Sequence, residues 1–214
     1  MRDTRRDVFL DALAQSVGAR APLGAPVDQL QAAIFARAKE APGEAAEPLD
    51  TGPGEAGRED VEDFVNLHLA DALSRLPPEA DDLVALGNSF RALAGDLDWG
   101  PRPAGADAPP SFRKAHANAT LVGVDGLERR SDIRIGASLM APGTTYPAHR
   151  HPPEELYLVL SDGDWRNCDT GWWTPGTGGL VHNPPGIEHA MRAGEAPLFA
   201  IWCLLVEPAP PRSP

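Results

Sequence analysis

Tyrosine and cysteine are nearly missing from this chain: there are two of each among 214 residues. Two cysteines, Cys168 and Cys203, exclude a disulfide framework and a paired-thiolate zinc site. Both are expected to be reduced and structural. Basic residues are scarce too, with 19 Lys and Arg against 31 Asp and Glu and a formal charge of −12. That balance argues against a nucleic-acid partner, because a polyanion is bound by cations that displace its counterions. No apolar run is long enough to span a bilayer. The first residues, "MRDTRRDVFLDALAQSVGA", have their apolar positions interrupted by Asp11 and Gln15, unlike the core of a secretory signal. A cytoplasmic protein with no membrane partner is expected.

What is present divides the chain in two. The first hundred residues carry helical periodicity. Val8, Leu10, Leu13 and Val17 fall near helical spacing, and so do Val27, Leu30, Ile34 and Phe35. A third helix is expected through Val61, Phe64, Val65, Leu67, Leu69 and Leu73, and a fourth in "PPEADDLVALGNSFRALAGD" with proline at its start. Between the second and third, residues 40–57 are rich in Pro, Gly, Ala and acid and read as a flexible linker. After "WGPRPAGADAPPS" the pattern changes to short strands parted by Gly and Pro: "DIRIGASLM", "ELYLVL", "GGLVHNP" and "PLFAIWCLLV". The expected organisation is a helical N-terminal region, 1–110, followed by an all-β unit, 111–208, of sandwich or barrel type. The helices are expected to pack on the barrel and to help form a homodimer, since their apolar faces need a cover.

Both tyrosines fall in one short segment, "TTYPAHRHPPEELYLVL", together with two of the six histidines. Side chains on a strand alternate faces. His149, His151, Glu155 and Tyr157 have the same parity, and Leu156, Leu158 and Leu160 have the other. Pro152 and Pro153 stand between, so the parity argument holds within each half. Two imidazoles two residues apart, followed by a carboxylate, form half of a divalent-metal site. His189, at the start of a strand after "NPPG", is a candidate further ligand. His68 has no such context and is expected to be a packing or surface residue; His116 and His182 are expected to be structural, with a pocket role as the alternative.

These two segments resemble the paired motifs of the cupin superfamily. The first runs Gly143, five residues, His149-Arg150-His151, three residues, Glu155, seven residues, Gly163. The second runs Gly178, five residues, Pro184-Pro185-Gly186, two residues, His189. One extra residue before Gly163, and Ala193 in place of a closing asparagine, depart from the pattern without touching a ligand position. The resemblance implies a mostly β fold: a single C-terminal cupin, a small antiparallel β-barrel, after an α-helical extension. It implies His149, His151, Glu155 and His189 as ligands of one divalent transition metal ion (Fe, Zn, Mn, Ni or Co).

A barrel of this type hosts many chemistries, so function has to come from the site. The helical extension, "YPAHRHPPEELY" and "PPGIEHAM" together resemble the cupin-type dimethylsulfoniopropionate (DMSP) lyases of marine bacteria. That resemblance implies β-elimination of a small zwitterionic sulfonium to dimethyl sulfide and acrylate. It implies Tyr157 as general base and Tyr146 as a pocket residue close to the reaction. A free phenol has a pKa of about 10, and a nearby cation favours its phenolate. Trp165, Trp172, Trp173 and Trp202 are candidate sulfonium contacts, since an aromatic face attracts an organic cation by roughly 0.5–2 kcal/mol. Two alternatives stay open: another metal-dependent cupin enzyme, such as a small-molecule dioxygenase, and a non-catalytic ligand-binding cupin.

Overall fold

The computed structural model describes residues 4–41, 58–101 and 110–206. The expected linker lies, from residue 42 to 57, outside the described residues, and so do residues 102–109 before the all-β part. Helices come first: α1 (Thr4–Gly18), α2 (Pro26–Lys39), α3 (Arg58–Ser74), α4 (Asp81–Ala94) and the short α5 (Pro110–Lys114). Nine strands follow: β1 (His116–Val122), β2 (Ile133–Met140), β3 (Thr145–His149), β4 (Glu154–Val159), β5 (Gly163–Asn167), β6 (Gly171–Trp173), β7 (Leu180–Asn183), β8 (His189–Ala193) and β9 (Leu198–Leu205). Among the described residues the helices take in more positions than the strands, so "mostly β" describes the C-terminal part better than the chain. Among the described residues, no helix is long and apolar enough to cross a membrane.

The strands form two antiparallel sheets, ordered β1-β2-β9-β4-β7 and β3-β8-β5-β6. They share one interior, as the expected small antiparallel barrel does. Strand alternation then makes two apolar clusters. One face of the five-stranded sheet presents Ile133, Ile135, Ala137, Leu139, Leu156, Leu158, Leu160, Phe199, Ile201 and Cys203 to the helices. The helices meet it with Phe9, Leu13, Ile34, Leu69, Leu86 and Phe90. Leu156, Leu158 and Leu160 are at most 1% exposed, and each contributes on the order of 2 kcal/mol by burial. The opposite face joins the second sheet in the barrel interior, with Tyr157, Val159, Val181, Trp202, Trp165, Met191 and Tyr146.

Helical spacing placed most of the buried positions, with two exceptions. Val8 is 55% exposed while its neighbour Phe9 is 1% exposed, and Leu67 is 67% exposed. α4 starts at Asp81, so the proline pair at 77 and 78 lies in the turn before it. The opening segment of the metal motif is not one extended strand. It leaves the smaller sheet at His149 and enters the larger one at Glu154, with Pro152 and Pro153 in the bend between.

One glycine fixes a close approach inside the barrel. Gly136 stands opposite Trp202 in the β2–β9 register. A Cβ there would lie 2.2 Å from the Trp202 ring and 2.2 Å from the Ala119 carbonyl oxygen. The missing side chain is the space the indole occupies.

A buried ion network ties α1 to the β1–β2 connection. Arg130, with 2% of its side chain exposed, binds Glu128 at 3.0 Å and Asp132 at 2.7 Å. Arg6, at 6%, reaches the same Glu128 at 2.7 Å. Removing one member of such a network leaves a charge in low dielectric. Arg130→Met is expected to cost about 3 kcal/mol in urea unfolding, at the low end for a broken buried pair because Glu128 keeps Arg6. The hydrogen bond from Arg130 holds the Asp132 carboxyl below its ordinary 3.8. A depressed carboxyl stabilises the fold above its unfolded pKa and loses that contribution as pH falls. The gap between wild type and Arg130→Met should therefore narrow below about pH 4. An equal gap at pH 7 and pH 3 would show that packing, not charge, sets the loss.

Candidate metal centre

Both sheets contribute to the cluster at the barrel mouth. His149 ends β3 and stands directly across from His189, which begins β8. Their ring centroids are 4.2 Å apart. His151 comes from the bend between the sheets, with its ring 5.1 Å from that of His189. Glu155 comes from the inner face of β4. The turn Pro184-Pro185-Gly186 sets the approach to His189. Gly186 adopts φ of 72°, in the left-handed region that glycine tolerates. Its N–H donates to the His151 carbonyl oxygen at 3.0 Å, which joins the two motif segments directly.

Each imidazole is oriented by its own backbone. The Nδ1 of His149, His151 and His189 lies 3.0, 3.0 and 3.1 Å from the carbonyl oxygens of Pro147, Pro153 and Ile187. A carbonyl only accepts, so the hydrogen sits on Nδ1 and the neutral ring carries its lone pair on Nε2. Ligand atoms of the three histidines fall within 4.8 Å of one another. The Nε2 atoms of His151 and His189 are buried and make no hydrogen bond. They nonetheless stand 3.3 and 3.2 Å from Glu155 Oε2. Bare lone pairs against a carboxylate repel one another unless a cation lies among them. This donor set, three imidazoles and one carboxylate, suits a divalent transition metal.

Glu155 is 1% exposed. Asn183, opposite Glu155 in the β4–β7 register, donates from Nδ2 to Oε2 at 3.0 Å.

Both tyrosines are buried. Tyr157, 2% exposed, follows Glu155 on the inner face of β4. Tyr146, 3% exposed, packs its ring 4.5 Å from that of His149. Behind Tyr146 stands a column of rings. His116 meets Tyr146 edge-on at 4.9 Å and stacks on Phe112 of α5 at 4.7 Å. The His116 Nε2 lies 3.1 Å from Ser138 Oγ. Cross-strand position placed His116 and Asn183 here, and their own sequence neighbours give no sign of it. His182, next to Asn183, faces the other way and meets Glu154 at 2.7 Å.

The four candidate tryptophans, Trp165, Trp172, Trp173 and Trp202, sit in different surroundings. Trp165 is 1% exposed, inside the barrel, with its ring 6.1 Å from Tyr157. Trp173 is its cross-strand partner and packs against the interior cluster from the rim. Trp202 is interior, with the Arg134 guanidinium 5.9 Å from its ring. Trp172 is 38% exposed, and the guanidiniums of Arg192 and Arg166 lie 4.5 and 5.6 Å from its ring. Two clefts, of about 230 and 610 Å³, lie on the helical side, and none of these residues lines either one.

Comparison with known proteins agrees with this geometry. The sequence model of the dimethylsulfoniopropionate lyase family matches residues 44–200. The chain is 30% identical over 132 residues to a putative dimethylsulfoniopropionate lyase, DddL, of Cereibacter sphaeroides, covering 61% of this chain and 54% of that protein. It therefore spans about half the length of that relative. It is 29% identical over 150 residues to the dimethylsulfoniopropionate lyase DddQ of Ruegeria pomeroyi, covering 64% of this chain and 74% of that protein. The crystal structure of the DMSP lyase DddQ from Ruegeria pomeroyi superposes with a TM-score of 0.60 at 21% identity, covering 97% of this chain and 94% of that one. The fold is shared along nearly the whole chain, the family match takes in every residue of the histidine cluster, and the chain belongs to the dimethylsulfoniopropionate lyase family.

Proposed function

We propose that this chain is a metal-dependent dimethylsulfoniopropionate lyase with Tyr157 as its general base. The observation that carries the reading is the inner face of β4. There Tyr157 comes two residues after Glu155, and the Glu155 carboxylate meets imidazoles of two histidines. His149, His151, Glu155 and His189 are the ligands. A bound divalent ion supplies positive charge that stabilises the substrate carboxylate and the enolate-like charge developing beside it.

The protein's own groups do the rest. Tyr157, as phenolate, takes the proton from the carbon next to the carboxylate. The electron pair of that C–H bond forms the carbon–carbon double bond as the carbon–sulfur bond breaks. Dimethyl sulfide leaves neutral, so no general acid has to protonate it, and acrylate remains. Tyr146 lines the pocket on the His149 side. Trp165 and Trp173 offer ring faces to the sulfonium without an arginine stacked on them among the cation–ring contacts described. Trp172, which already carries two guanidinium groups, contributes little to substrate binding.

Tyr157→Phe is expected to keep the fold and the metal while lowering dimethyl sulfide release by at least ~10²-fold, measured by headspace gas chromatography. Wild-type turnover in that variant would remove Tyr157 as the base.

Stripping the metal with a chelator is expected to abolish release, and returning a divalent ion to restore it. Rates in air and under argon should be equal; oxygen consumption coupled to turnover would instead indicate a dioxygenase.

Trp172→Leu should leave KM unchanged, whereas Trp173→Leu should raise it. A rise in KM for Trp172→Leu alone would place the sulfonium on the outer face.

A further inference from the structure

We propose that Asn183 is a positioning residue of the metal centre, holding the Glu155 carboxylate in the orientation in which it meets the histidines. This rests on reading the histidine cluster as a metal site. Three nitrogens surround Glu155 Oε2: His151 Nε2 at 3.3 Å, His189 Nε2 at 3.2 Å and Asn183 Nδ2 at 3.0 Å. The two imidazole nitrogens bring lone pairs. Of these three, Asn183 alone brings a hydrogen. A carboxylate is acceptor-only, so the amide must face it with its N–H, which fixes the amide orientation as well.

Burial and register make this contact a built one. Asn183 and Glu155 are each 1% exposed. They are direct cross-strand partners, and Asn183 is the last residue of β7 before the Pro184-Pro185-Gly186 turn. That turn is fastened to His151 by the Gly186 N–H. Asn183 therefore touches the carboxylate ligand at the point from which the chain departs toward His189. Its Oδ1 is buried and has no hydrogen-bond partner. A residue serving packing alone would do so without that cost, as Val181 does two positions earlier on the same face. Outer partners of metal ligands fix ligand orientation and adjust donor strength. An amide hydrogen on Oε2 does both: it stops rotation of the carboxylate and draws charge from the oxygen.

The test is the affinity of purified, metal-stripped full-length protein for cobalt(II), by chelator competition, together with the visible absorption of the bound ion. Asn183→Ala is expected to bind cobalt(II) about 10–100-fold more weakly and to shift its absorption bands, with far-ultraviolet circular dichroism unchanged. If the alanine variant fails to fold, Asn183→Val keeps bulk and strand propensity and is read instead. His182→Ala, on the same strand but facing away, should bind as wild type does. Wild-type affinity and spectrum in the Asn183 variants would overturn the proposal, as would an equal loss in His182→Ala. Absence of cobalt(II) binding by the wild-type protein would overturn the metal reading itself and this proposal with it.

Discussion

The centre depends on where three hydrogens sit. His149, His151 and His189 each have a backbone carbonyl two residues away in chain at Nδ1. Those bonds decide the tautomer, and the tautomer decides that Nε2 is the atom offered to the middle of the cluster. Everything else at the site is arranged so that the three Nε2 atoms and one carboxylate oxygen converge. The bend at Pro152 and Pro153 carries His151 out of one sheet. The pairing of β3 with β8 sets two rings against each other, and the left-handed Gly186 turns the chain toward the second of them. A different protonation pattern on the same backbone would point N–H groups at one another.

β4 carries the second constraint, because its two faces serve two different interiors. Leu156 and Leu158 anchor the helices. Glu155 and Tyr157 lie on the other side, and Tyr157 joins the barrel cluster. The helical part is therefore no separate body as far as packing is concerned: its apolar residues and the outer face of the larger sheet belong to one core. The position of the chemical groups is held from behind by α1–α4.

Much of this was legible in the sequence because it is local. Period-two alternation gave the faces of β2 and β4, and motif spacing marked the four residues, His149, His151, Glu155 and His189, that the fold brings together. The helical faces were read correctly apart from Val8 and Leu67, where near-helical spacing does not say which of two adjacent apolar residues turns inward. What could not be read is non-local. Asn183 looks like any residue before a proline turn until β7 is placed beside β4. His116 falls in a stretch with no motif, and only the β1–β2 register brings it to Ser138 and the Tyr146 ring. The tryptophans share one composition signal, yet pairing with β5 sends Trp173 inward and Trp172 to the arginines outside.

The fit of Trp202 into the space left by Gly136 reaches beyond packing. Residues 136 and 202 lie on adjacent strands and divide one fixed volume between them. A side chain at 136 would meet the Ala119 carbonyl oxygen as well as the indole, so the backbone itself holds glycine there. Position 202 is the freer of the two. A smaller side chain there would open one wall of the interior while leaving the histidine cluster in place. Pocket shape and metal chemistry can then diverge independently in proteins that keep the same barrel.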